Sequence, residues 1–162
     1  MLRLLFPIAL LSLALISDKV LAGDLPDDKL TPGVTRDVDV NTLCHSSTKL
    51  VRLTTTAMKL AVYKEYGIKP RHAPECTGTG HSCYEIDHRI ALEDGGADDI
   101  KNLWPQSYDG TWNAHVKDLY ENFLHRKICN GELTIKQAQE ELADDWIKGY
   151  KSHSELPLPA VH

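Results

Sequence analysis

The strongest constraint on the fold is a run of two short apolar segments, separated by a double glycine and followed by an amphipathic stretch. Apolar and polar residues alternate over 84–92, which predicts a β-strand with one buried face. Residues 93–96 predict a turn, because two adjacent glycines tolerate positive φ. A second short strand is expected at 100–104. A helix then opens at 109–111, and its apolar stripe ends at Ile128.

Two more helices flank this unit in the sequence. One is predicted from about Thr56, and the other begins at Thr134, where Gln137 completes a capping box. We therefore expect an α+β fold with a small strand–strand–helix core and flanking N- and C-terminal helices. It forms one domain over 23–150, followed by a loose tail over 151–162.

The N-terminal segment 1–22 has the pattern of a secretory signal peptide. A short positive start precedes an apolar run over 4–16, and the run is too short to cross a bilayer. Cleavage is expected after Ala22, where small or modest residues occupy the positions that a signal peptidase reads. The sequence thus predicts a secreted or periplasmic monomer with no membrane association after cleavage.

Four cysteines follow this segment, and an even number in an exported chain predicts two disulfides. Three pairings are possible. The short glycine-containing loop between Cys76 and Cys83 favours that bridge, which leaves Cys44 to pair with Cys129. A zinc site built from Cys76, His81 and Cys83 is the alternative, although a second tight cysteine pair is missing.

Residues suited to phosphodiester hydrolysis are grouped in the strand–strand–helix unit. The first strand carries Asp87 and His88, the second carries Asn102, and the helix presents Asn113 and His115 early. A neutral imidazole can take the proton of an attacking water, and a carboxylate suits a hard divalent cation. Adjacent residues of a regular strand point to opposite sides. Asp87 and His88 can therefore both face the site only if a bulge or a strand end lies at this pair.

The combined pattern resembles the ββα-metal core of the HNH endonucleases, in a small secreted bacterial type. It comprises acid-x-Asp-His at 85–88, the double glycine, Asn-Leu-Trp-Pro at 102–105 and Trp-Asn-Ala-His at 112–115, and the similarity extends over about 30–150. Many members carry a Cys-x-x-Cys framework and a terminal histidine on the helix, where this chain departs from the pattern.

The resemblance implies a role for each of these residues. His88 would be the general base, Asp87 a metal ligand, and Asn102 the residue that fixes the loop. Asn113 or His115 would supply a second ligand to the metal. The implied cofactor is a divalent cation. Mg²⁺ is the leading candidate, and Mn²⁺ and Zn²⁺ are the alternatives.

The formal net charge of −5 is unusual for a protein that binds nucleic acid, which typically has a basic surface. We expect a local basic groove on an acidic body, with Arg89 and Lys117 contacting substrate. The alternative is that these cations are scattered solubilising charges.

The predicted function is a metal-dependent endonuclease that hydrolyses DNA, with RNA as the second substrate. Two other functions stay open. One is a secreted nucleic-acid-binding module without turnover, and the other is a disulfide-stapled interaction module in which Asp87 and His88 form only an ion pair.

Overall fold

The computed structural model describes residues 23–68 and 83–159. Within these ranges the chain forms four α-helices and one two-stranded sheet, which confirms the α+β class. Their bounds are α1 Val40–His45, α2 Thr56–Glu65, β1 Tyr84–His88, β2 Leu103–Ser107, α3 Ala114–Cys129 and α4 Ile135–Ser152. The predicted leader 1–22, together with Cys76 and His81, lies outside the described residues. No helix in the described ranges is long and apolar enough to cross a membrane.

The two strands form an antiparallel hairpin. Tyr84 lies opposite Ser107, and His88 lies opposite Leu103. Pro105 lies within β2, where it cannot donate a backbone hydrogen bond, and a sheet of two strands tolerates this because each strand has a free edge.

The second strand begins later than the 100–104 segment predicted from sequence. Residues Ile100–Asn102 form a 3-10 turn instead, and the Asp99 carboxylate caps this turn by accepting from the Lys101 N–H at 2.8 Å. The local preference of aspartate for a capping position therefore outweighs the apolar pattern at Ile100.

The connection between the strands contains the predicted double-glycine turn. A 3-10 turn over Leu92–Asp94 ends at Gly95, whose φ of +87° lies in the left-handed region. A Cβ on Gly96 would lie 1.9 Å from the Ile90 carbonyl oxygen, so that position requires glycine.

Helix α3 begins at Ala114, whereas the sequence predicted an opening at 109–111. The side chain of Asn113 accepts from the Val116 N–H at 3.2 Å and is the N-cap. By contrast, the predicted N-cap and capping box of Thr134 and Gln137 are confirmed in α4.

Two apolar clusters hold the elements together. The smaller one joins α2 to the sheet and is formed by Val62, Tyr66, Ile86, Leu103 and Trp104. The larger one joins α1 and the inter-strand connection to the facing sides of α3 and α4. Its largest fully buried members are Tyr120, Leu124, Ile128, Leu142 and Trp146.

A disulfide joins Cys44 of α1 to Cys129 at the end of α3, over a sequence separation of 85. This confirms one of the two predicted bridges. The other, Cys76–Cys83, involves a residue outside the described ranges and stays a prediction. Closing a loop of this length stabilises the fold by about 4–5 kcal/mol in the chain-entropy account.

The N-terminal lead-in packs along the folded body. The Trp146 indole N–H donates to the Asp24 carbonyl at 2.9 Å, over a sequence separation of 122. Thr31 is fully buried, and its hydroxyl donates to the Leu103 carbonyl at 2.9 Å. The lead-in thereby bridges α4 and β2.

Candidate active site

The acid–histidine pair occupies the last two positions of β1. Their side chains leave the strand on opposite sides, as the pleat of a strand requires. Asp87 faces α3 and is partly exposed, whereas His88 faces the loop before β2 and is 3% exposed. The pair does lie at a strand end, but the two side chains still point to opposite sides, so the strand end does not bring them to one site.

His88 is held by a carboxylate that the sequence analysis missed. Its Nε2 lies 2.8 Å from Oδ1 of Asp98, and both side chains are almost fully buried. Asp98 also accepts hydrogen bonds from the Thr54 hydroxyl and the Leu53 N–H. Asp98 lies ten residues after His88, so only the fold of the connection brings the two together.

The protonation states of this pair follow from its surroundings. Burial lowers the pKa of His88 and outweighs the opposing effect of its hydrogen bond to Asp98. Burial would raise the pKa of Asp98, but hydrogen bonds from Thr54, His88 and Leu53 hold it below its usual value. An ionised carboxylate cannot donate, so the Nε2–H of a neutral His88 donates to Asp98.

Asn102 fixes the connection that carries these residues. Its Oδ1 accepts from the Ile90 N–H at 3.0 Å, and its Nδ2 donates to the carbonyls of Ile90 at 3.0 Å and Ala97 at 2.8 Å. Its backbone carbonyl accepts from the Arg89 N–H at 2.7 Å. The side chain is fully buried, so Asn102 positions the loop and does not reach a substrate.

Lys117 lies inside the protein, between two carboxylates. Its ammonium donates to Asp87 Oδ2 at 2.7 Å, to the His88 carbonyl at 2.6 Å and to Glu121. Burial alone would lower the pKa of Lys117, but the charges of Asp87 and Glu121 outweigh burial and raise it. A nucleic-acid phosphate has no access to this ammonium.

Arg89 is also internal. Its guanidinium donates to the Thr31 carbonyl at 2.7 Å and to the Ala143 carbonyl, and it pairs with Asp28 at 2.6 Å. These bonds tie the lead-in to α4. The structure therefore does not bring Arg89 and Lys117 together as the basic groove that the sequence predicted.

Among the described residues, the two helix residues expected to bind metal make their contacts with groups other than Asp87. Asn113 uses Oδ1 to cap α3, and its Nδ2 donates to the Gly110 carbonyl at 2.9 Å. His115 is exposed and packs against Tyr108, with 5.2 Å between ring centroids. Asp87, Asn113 and His115 thus do not fit a three-ligand cation site. In the described part of the chain, no three His, Cys, Asp or Glu side chains are grouped to hold a metal.

Further acidic groups surround the exposed side of Asp87. Tyr108 donates its hydroxyl to Glu85 at 2.8 Å. Burial and the nearby charges of Asp87 and Glu85 raise the pKa of Asp118 to about 6. Glu85 is the first acid of the acid-x-Asp-His pattern, and strand alternation places it on the same side as Asp87, whereas no motif marks Asp118.

Arg52 is an exposed cation in the segment that bonds to Asp98. The charge of Arg52 contributes to lowering the pKa of His88, and Arg52 adjoins the Leu53 and Thr54 groups that hold Asp98. No sequence motif marks Arg52, because it lies far from the acid–histidine pair in the chain.

Comparisons with known proteins leave the geometry as the basis for assigning a function. No protein-family model matches the sequence, and no curated protein or solved structure shows significant similarity to it.

Proposed function

We propose that this chain is an HNH-type phosphodiester hydrolase that cleaves nucleic acid, with DNA as the first proposed substrate and RNA as the second. The observation that carries the proposal is the arrangement of an antiparallel hairpin and α3 around His88 at a strand end, with Asn102 fixing the intervening loop. These are the positions that the resemblance to HNH endonucleases assigns to the general base and to the loop-fixing asparagine.

The proposed base is Nδ1 of His88. Since Nε2–H donates to Asp98, the lone pair of the neutral ring is on Nδ1, which makes no hydrogen bond to a described residue. A water that attacks phosphorus would give its proton to this atom, while the ester bond to the leaving oxygen breaks and that oxygen takes a proton from solvent. Asp98 orients the ring and stabilises the imidazolium that forms, as a buried carboxylate does beside other catalytic histidines.

The phosphate requires a nearby cation as negative charge develops on its oxygens. Arg52 is an exposed cation next in sequence to Leu53 and Thr54, which bond to Asp98, and we assign it the phosphate contact in place of Arg89 and Lys117. No step of the proposed reaction passes through a divalent cation held by Asp87, Asn113 and His115, because those side chains do not converge.

Export is part of the proposal. The pattern at 1–22 predicts a signal peptide, and the Cys44–Cys129 disulfide suits an oxidising compartment. We propose a secreted or periplasmic monomer.

A binding module without turnover is the second candidate. The observation that favours it is the low exposure of His88, which limits the access of a phosphodiester to the proposed base. Such a module would bind nucleic acid without cleaving it.

The test incubates the oxidised protein, residues 23–162, with plasmid DNA and with RNA. We expect nicking of DNA by the wild type and a loss on the order of 10²–10⁴-fold in His88→Ala. The matched control is His45→Ala, because His45 is exposed and bonds only within α1. Binding without cleavage by the wild type would favour the second candidate.

A further inference from the structure

The side-chain ammonium of Lys117 occupies a site built from oxygen atoms. We infer that Lys117 takes the place of the divalent cation in this chain, so that no metal ion binds between Asp87 and Glu121. This inference rests on the proposed function, because the HNH resemblance is what implies a cation beside Asp87. Lys117 is then a positioning residue, since it acts through Asp87 and the backbone of His88.

The hydrogen bonds of Lys117 match the capacity of an ammonium group. An ammonium has three donors, and here each has an oxygen acceptor: a carboxylate of Asp87, a carboxylate of Glu121 and the carbonyl of His88. Carboxylates and carbonyls are also the ligands that a hard divalent cation prefers. The oxygen set suits a cation, and the chain supplies that cation itself.

The burial of Lys117 excludes a second cation at the same place. The residue is 1% exposed, whereas the side chains of its partners Asp87 and Glu121 keep 16% and 10% exposure. A divalent ion bridging Asp87 and Glu121 would have to lie where the ammonium lies. It would meet a like charge in a region with little solvent to screen it.

Helix register explains why the lysine reaches this point. Asn113, Lys117 and Glu121 follow one another at intervals of four and therefore share one face of α3. The N-cap at Asn113 sets where the helix begins, and this places Lys117 against the end of β1. The ammonium then links α3 to the backbone at His88, so it fixes the strand end from which the proposed base projects.

Direct metal binding to the wild type is the deciding measurement. The oxidised protein is titrated with MnCl₂, and free Mn²⁺ is followed by electron paramagnetic resonance. We expect no stoichiometric Mn²⁺ that depends on Asp87, and the same thermal unfolding midpoint in MnCl₂ as in EDTA. One bound Mn²⁺ in the wild type that Asp87→Asn loses would overturn the inference.

Variants that remove the ammonium supply the converse test. Lys117→Ala should bind Mn²⁺ and gain at least about 4 °C in its unfolding midpoint at saturation. The gain should vanish in the double variant Asp87→Asn, Lys117→Ala. Lys117→Met keeps the apolar stem and serves if the alanine variant does not fold. Folded Lys117 variants that take up no Mn²⁺ would also count against the inference, since the oxygen set would then not be a cation site.

The matched control is Lys136→Ala. Lys136 forms the same i,i+4 pair with Glu140, at 2.9 Å, but on the surface. This variant should behave as the wild type does toward Mn²⁺. Plasmid cleavage is measured on the same samples, and we expect the wild type to cleave equally in EDTA and in MnCl₂. Absence of cleavage in every condition would reject the proposed function, while the Mn²⁺ titration would still decide the role of Lys117.

Discussion

Asn102 bonds to both backbone polar groups of Ile90, accepting from its N–H and donating to its carbonyl. The two residues begin and end the connection between the strands, so one amide side chain closes a loop of a dozen residues. The connection has little regular structure of its own beyond short 3-10 turns, so this side-chain link is an important part of what holds it in place. The Asn102 side chain thus joins the two ends of the loop, as backbone hydrogen bonds join the paired strands of a hairpin.

Loss of this link should destabilise the whole domain. Asn102→Ala would leave two buried carbonyls and one buried N–H without a partner, each costing about 1–3 kcal/mol. We expect a loss on the order of 3–5 kcal/mol in the free energy of unfolding, measured by urea titration. Asn122→Ala is the control, because its amide donates only to an exposed helix carbonyl and should change stability by less than about 0.5 kcal/mol.

The Asp98 carboxylate should control activity more than stability. Asp98→Asn keeps the volume but cannot accept the Nε2–H in the same way, so the ring loses its preferred tautomer and orientation. We expect kcat for plasmid nicking to fall by on the order of 10²–10⁴-fold while KM changes little. The exposed Asp144→Asn is the control. Unchanged kcat in Asp98→Asn would remove Asp98 from the proposed mechanism.

Arg52 should contribute to substrate binding. A cation that contacts one phosphate releases counterions, so its removal lowers affinity and reduces the salt dependence of binding. We expect Arg52→Gln to raise KM several-fold and to reduce the slope of log affinity against log salt by about one. Lys136→Gln, on the exposed face of α4, should leave both quantities as they are. An unchanged slope in Arg52→Gln would show that this cation does not meet phosphate.

The buried carboxylate of Asp94 predicts a pH-dependent stability. It is fully buried, its oxygens have no hydrogen-bond partner among the described residues, and Nδ1 of His125 lies 3.6 Å from Oδ1. Burial raises its pKa to about 6 from an ordinary 3.8. The folded state therefore holds this proton more tightly than the unfolded state, and the stability from Asp94 is lost as pH rises through 6.

Asp94→Asn should remove that dependence. Between pH 4 and pH 8, we expect the free energy of unfolding of the variant, measured with urea, to rise relative to that of the wild type by about 2–3 kcal/mol. His88 acts in the opposite sense, because its pKa is lowered and its contribution is lost as pH falls below its ordinary value. His88 is common to both proteins, whereas Asp94 raises the pKa of His125, so the difference reports Asp94 together with its coupling to His125. A constant difference across this range would contradict the prediction.

Local patterns predicted the elements of this fold better than the contacts between them. The capping box at Thr134 and the helix from Thr56 are set by neighbours in the chain, and both were predictable. The pairing of Cys44 with Cys129 was predictable because the short glycine-containing loop between Cys76 and Cys83 favours that bridge and leaves Cys44 and Cys129 as partners. The start of α3 was not, because Asn113 competes with Asp109 and Thr111 as an N-cap and tertiary packing decides between them.

In the candidate site, too, residues in local motifs were predictable, whereas contacts made by tertiary packing were not. Asp87, His88 and Asn102 lie in recognisable motifs, and the structure places them in one hairpin. Asp98 could not be singled out, because its partnership with His88 depends on how the connection folds back. Lys117 shares a helix face with Asn113, but the register alone does not say whether that face meets solvent or the strand.

The bond between Trp146 and the Asp24 carbonyl has a consequence for how the chain is made. A ribosome releases the N-terminal end first, yet this end finds its partner only after α4 has been synthesised. The lead-in around Thr31 likewise waits for β2. The contacts of the lead-in can therefore form only once α4 and β2 are available, so this segment docks after the elements that it bridges.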